Sequence, residues 1–103
     1  MKLFTKEILK KLPKEISERA KIEDLTLQCK LFTPWGNWTW YIAAYNPETG
    51  LAFGYVEGFE NEWGYVDVEE LAAIKGPFGL KVERDIHFVA CKFNELKISA
   101  RRA

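Results

Sequence analysis

The sequence predicts an α+β fold: a mostly antiparallel sheet of four to five strands, an N-terminal helix and a second helix near residues 68–75. Three observations carry that prediction. Apolar side chains alternate with a period of two through 25–32 and 37–45, and 51–57 follows a turn as a hairpin partner. Helical spacing is clearest in the first dozen residues and in the stretch after Asp67. Glycine, proline and asparagine collect between these segments, where turns belong.

Taken in order, Thr5 is placed to cap a first helix, with Ile8, Leu9 and Leu12 on one side and Lys6, Lys10 and Lys11 in solvent, and Pro13 limits it. Lys14 to Ala20 reads either as a short helical piece with Pro13 at its first position, thin in apolar residues (Ile16, Ala20), or as a loop. Leu25 to Phe32 reads as a strand with Leu25, Leu27, Cys29 and Leu31 on one face. Asn37 to Tyr45 reads as the next, with Trp38, Trp40, Ile42 and Ala44 opposing Thr39, Tyr41, Ala43 and Tyr45. The turn Asn-Pro-Glu-Thr-Gly then sends Leu51 to Glu57 back as its hairpin partner. Trp63 to Val66 is a further short strand. Asp67 is a good N-cap for a helix whose first turn holds Glu69 and Glu70, whose apolar side is Leu71, Ala72 and Ile74, and which Gly76-Pro77 stops after Lys75. Ile86 to Phe93 is expected to return to the sheet. No linker, repeat or low-complexity tract divides the chain, so residues 1–103 are read as one domain.

With 48% hydrophobic and 15% aromatic residues, the chain has the side chains a core requires. The start MKLFTKEILKKLPK interrupts its apolar residues with lysine, unlike a signal peptide. The longest uncharged run, Leu31 to Pro47, is broken by Pro34, Gly36, Asn37 and Asn46 and is short for a bilayer. A cytoplasmic protein without a membrane partner is expected. In that compartment Cys29 and Cys91, which belong to no CxxC pair, are expected to be core thiols. The sequon Asn37-Trp38-Thr39 then has no meaning.

The segment TPWGNWTWYIAAYNPETG concentrates aromatic rings. Leaving indoles in water is costly, so the face carrying Trp38, Trp40 and Ile42 is assigned to the core. Trp35, Tyr41 and Tyr45 remain for recognition.

Catalysis is poorly supported. There is one histidine, His87, and the two serines, Ser17 and Ser99, lie on no sharp strand-to-helix turn. The Gly54–Gly58 and Gly76–Gly79 glycines read as strand and turn positions, not as a phosphate loop. His87 and Cys91 share a face of the expected last strand, and Cys29 across the sheet would complete a thiolate and imidazole metal site. The same alternation also describes a mixed, half-buried face, and no metal or cofactor is expected. Acidic pairs such as Glu60 and Glu62 are routine in loops. A small enzyme or metal protein using Glu62, Asp67, His87 or Cys91 is the reserve reading.

Charge is segregated along the chain. Residues 1–21 carry seven Lys/Arg against three Glu, residues 22–74 one Lys against nine Asp/Glu, and residues 75–103 seven against three. Glu57, Glu60, Glu62, Asp67, Glu69 and Glu70 fall within fourteen positions with no basic residue among them. Facing one way, they make a surface that repels nucleic acid and attracts basic protein grooves. The competing expectation is that the basic ends fold over them and neutralise them.

The blocks MKLFTKEILKKLP, FTPWGNWTWY, GFENEWGY with the following EEL, and IKGPFGLKVERDIHF together resemble a family of small bacterial proteins carried on plasmids, integrative elements and phages, a domain of unknown function (2958). The likeness covers nearly the whole chain in order. It brings no catalytic or binding residues with it. The charged PKEISERAK after the first leucine-proline pair departs from the family pattern. What the resemblance implies is a setting, because accessory proteins of mobile elements commonly act by binding.

Two partners follow as expectations. The first is a host or element-encoded protein, such as a CRISPR or restriction nuclease inhibited in an anti-defence role, bound through Trp35, Glu57, Phe59, Glu60, Glu62 and Trp63. The second is single-stranded nucleic acid, stacked on Tyr41 and Tyr45 and tracked by Lys10, Lys11, Lys14, Arg101 and Arg102.

Overall fold

The computed structural model describes residues 2–99, with side chains through Leu96. The fold is α+β. A five-stranded antiparallel sheet runs in the order β5-β4-β3-β2-β6, with β2 at Cys29–Phe32, β3 at Thr39–Asn46, β4 at Leu51–Glu57, β5 at Asn61–Asp67 and β6 at Glu83–Arg84. A separate two-stranded ribbon joins β1, Thr26–Leu27, to β7, Cys91–Lys92. Three short helices complete it: α1 at Lys6–Lys11, α2 at Val68–Ala73 and α3 at Phe93–Ser99.

The local chemistry explains the ends of these elements. The Thr5 hydroxyl accepts the Ile8 N–H at 3.1 Å and starts α1. Asp67 accepts from both Glu69 and Glu70 N–H at the start of α2. Gly50, at φ 76°, closes the β3–β4 hairpin where an L side chain would be strained. Only Leu71 of α2 is fully buried, with Val68 half-buried against the same core; Ala72 and Ile74 are exposed, and the helix ends at Ala73 rather than Lys75.

Both faces of the sheet carry a core. One packs Leu3, Phe4, Leu12, Cys29, Leu31, Trp40 and Ile42. The other packs Leu25, Leu27, Tyr41, Ala43, Phe93 and Leu96. Two paired irregularities produce this division. At Gln28, whose N–H donates to the Ile42 carbonyl at 2.8 Å, the expected single strand breaks into β1 and β2. Opposite it, the β3–β4 register shifts between Ile42 and Ala44. A one-residue shift moves every following side chain to the other face. Leu25 and Leu27 therefore part from Cys29 and Leu31, and Tyr45 joins Phe4 on the first face, ring centroids 5.0 Å apart, away from Tyr41.

The remaining departures lie where backbone pairing is set over long distances. Residues 14–20 form no helix; the one nearby helical turn is a 3-10 turn at Ile22–Asp24. Ile86 to Phe93 is not one strand. β6 pairs with β2 and β7 with β1, and α3 starts at Phe93 to cover the second face. Phe93 sits there against Tyr55 and Trp63, with ring centroids 4.7 and 5.0 Å apart.

Candidate functional site

Cross-strand pairing places several loops at one end of the sheet. Phe32 pairs with Thr39 and with Glu83, Thr39 with Glu57, and Glu57 with Asn61. Loops 33–38, 58–60 and 76–80 all leave from this row. Thr33 closes the first: its hydroxyl accepts the Trp38 N–H at 3.2 Å, and its own N–H donates to the Trp38 carbonyl at 3.0 Å. Trp38 then stacks on Trp40 at 5.9 Å and meets the edge of Phe59 at 5.3 Å. Gly58 lies so close to the Trp38 indole that a Cβ there would collide with it. Trp35 lies in the same way over Gly76, whose Cβ would fall 2.5 Å from the ring.

Two unburied rings lie in these loops. Phe59 is 94% exposed and Phe78 99%. Phe78 also has φ 57° and ψ 28°, a left-handed conformation uncommon for an aromatic residue, and Gly79 follows at φ 75°. Neither ring gains burial from this arrangement, and backbone strain of this kind collects at sites that recognise something. Sequence reasoning missed Phe78. Its signal was present, an aromatic residue inside the turn run Gly76-Pro77-Phe78-Gly79.

Glu57, Glu60 and Glu62 lie at this end as well, Glu57 half-buried and the other two exposed. Among the described residues the ion pairs are Lys14–Glu48 at 3.5 Å and Lys30–Asp85 at 3.7 Å, so no basic side chain of the described residues joins the acidic run from Glu57 to Glu70. Beside Glu57 a hollow of ≈ 730 Å³ opens on the second face, with Lys30, Tyr41 and Asp85 in its wall. Burial first, and then the Glu57 carboxylate at its hydroxyl, holds the Tyr41 phenol well above its ordinary range. The Lys30 ammonium lies 5.7 Å from the Tyr41 ring centre.

The other sequence candidates fall elsewhere. Trp63 is half-buried on the second face against Phe53 and Phe93 and is not a loop-end anchor. Tyr41 is 3% exposed and Tyr45 lies on the opposite face, so they do not form one stacking platform. Lys10 and Lys11 are exposed on α1, and Lys14 pairs with Glu48. Arg101 and Arg102 lie outside the described residues. Asp67 is spent on capping α2. His87 and Cys91 border one hollow, while Cys29 packs in the core of the other face, and no group of three or more such ligands comes together among the described residues. Burial pushes the Cys29 thiol up to about 12 and raises Cys91 as well. No helix among the described residues is long and apolar enough to cross a membrane.

The fold and this end of it define a small α+β sheet protein with a core on each face and an acidic, aromatic loop end. The chain belongs to the family described as a protein of unknown function (DUF2958), whose model matches residues 3–101. No curated protein and no solved structure matches it.

Proposed function

We propose that this is a non-catalytic binding protein whose loop end docks on a basic, nucleic-acid-binding surface of a protein partner, with inhibition of a nuclease as the outcome. The observation that supports this most is the conjunction of two exposed rings, Phe59 and Phe78, with glutamates that no basic side chain of the described residues neutralises. Aromatic anchors ringed by charge are the usual hot spots of interfaces. The thiols support a non-catalytic reading, because burial holds both protonated, the reverse of what a nucleophile requires. The separation of Tyr41 from Tyr45 weighs against base stacking on that pair.

The test is one triple variant, Glu57→Lys, Glu60→Lys and Glu62→Lys together. Capture of a protein partner from nuclease-treated host lysate should fall, more at low salt than at high, since steering charges act mainly on association. Tighter binding of a single-stranded oligonucleotide together with unchanged protein capture would sink the proposal.

A further inference from the structure

β5 is a sheet edge with seven residues, all paired to β4 on one side and, among the described residues, to no strand on the other. The opposite edge, β6, has only two residues, and Arg84 there donates to the Lys2 and Leu3 carbonyls at 2.8 and 2.9 Å, tying the N-terminal segment alongside. β5 has none of that cover. It holds no proline, no lysine and no register shift, which ordinarily help to blunt an edge, and its only charges are the acidic Glu62 and Asp67.

The hydrogen-bond phase shows which groups the edge presents. The Val68 N–H donates to the Gly50 carbonyl at 3.0 Å, and the Gly58 N–H to the Glu60 carbonyl at 3.2 Å. Both bonds sit on the register that pairs Ala52 with Val66, Gly54 with Gly64 and Val56 with Glu62. Hydrogen-bonded and non-bonded pairs alternate along an antiparallel ladder, so these three are the bonded pairs. The N–H and C=O of Trp63 and Tyr65 consequently point outward. Gly64 between them has no side chain to shield them, and the Tyr65 side chain is 74% exposed.

We infer that β5 takes up an extended, lysine- or arginine-rich segment of a protein partner as a sixth strand, through the outward backbone groups of Trp63 and Tyr65. Charge selects this occupant. Glu60, Glu62 and Asp67 lie in and beside the strand with no base among them, so a second copy would add three more acidic side chains to the same edge, whereas a basic segment brings the opposite sign. The inference rests on the proposed protein-binding role and gives it a mode.

The probe is a short synthetic peptide alternating lysine with valine, compared with the same peptide carrying glutamate for lysine. On saturation with the lysine peptide, amide exchange at Trp63 and Tyr65 should slow by at least about tenfold, with little change at Gly64 and Val66, which the β4 ladder already protects. The glutamate peptide should not bind. Tyr65→Pro removes an outward N–H that β4 does not use, which an edge strand tolerates, and should abolish binding, while Tyr65→Thr keeps the amide and should retain it. Protection confined to loops 33–38 and 58–60, with Tyr65→Pro still binding, would overturn the strand mode and leave the acidic docking role standing. Absence of lysine-peptide binding overturns the mode as well, and the triple glutamate variant judges the role separately. Dimerisation of the free protein with Trp63 and Tyr65 already protected would assign the edge to a second copy instead.

Discussion

At the scale of single residues, the tryptophans divide by what surrounds them. Trp40 is 7% exposed, stacked on Trp38 and enclosed by the first core, so truncation removes a large buried surface and leaves a cavity. Trp40→Ala should cost about 3 to 5 kcal/mol, read as a shift in the urea midpoint. Phe78→Ala removes an unburied ring and should leave that midpoint within error or raise it, since no packing is lost. Equal destabilisation by both would contradict the division between core and recognition rings. The core role of Trp38 and Trp40 was legible because two indoles on one strand face are costly to leave in water. Burial of Tyr41 was not, because what covers it, Phe88 at 5.9 Å, lies forty-seven positions away and comes from an irregular segment.

Secondary-structure elements that depend on local chemistry were the most legible. The start of α2 is the clearest: Asp67 accepts two backbone N–H groups, at 2.9 and 3.3 Å, as an aspartate before a helical pattern should. Asp67→Ala should lower stability by about 1 kcal/mol, and Asp67→Asn or Asp67→Ser should recover most of it in thermal denaturation. Failure of both to recover it would mean that the carboxylate acts by charge rather than as a cap. α1 and the β3–β4 hairpin follow the same logic, a cap in one and a turn with Gly50 in the other. α3 had no such mark. Phe93 continues an apolar alternation, and it is the second core, Tyr55 and Trp63 above all, that makes a helix there worthwhile.

For the whole molecule, the two-faced core has a consequence in the pH dependence of stability. The Cys29 thiol rises from 9.0 to about 12 on burial, with Arg84 pulling weakly the other way, and the Tyr41 phenol is raised too. Each group keeps its proton in the folded chain at a pH where the unfolded chain has released it. The unfolded state then binds fewer protons, so stability falls as pH rises. For Cys29 the contribution is fully present below 9.0 and is lost progressively up to about 12. The urea midpoint should accordingly fall through that window, and Cys29→Ala should flatten the slope even though it lowers the midpoint itself. A slope unchanged by Cys29→Ala would place the alkaline loss on Tyr41 and Cys91 instead.

By itself the sequence determined the α+β class, the first helix, the β3–β4 hairpin, the cap of α2 and the acidic run, because periodicity, caps, turns and charge are properties of neighbouring residues. It determined the core role of Trp40 for the same reason. Tertiary structure alone decided that both faces are covered, since the shifts at Gln28 and Ala43 reassign side chains between faces and no local pattern announces them. It also decided that Trp35, Phe59 and Phe78 share one end, and that the outward groups of β5 belong to Trp63 and Tyr65. Those facts depend on which strands pair and in what register, and pairing is settled by contacts between residues far apart in the chain.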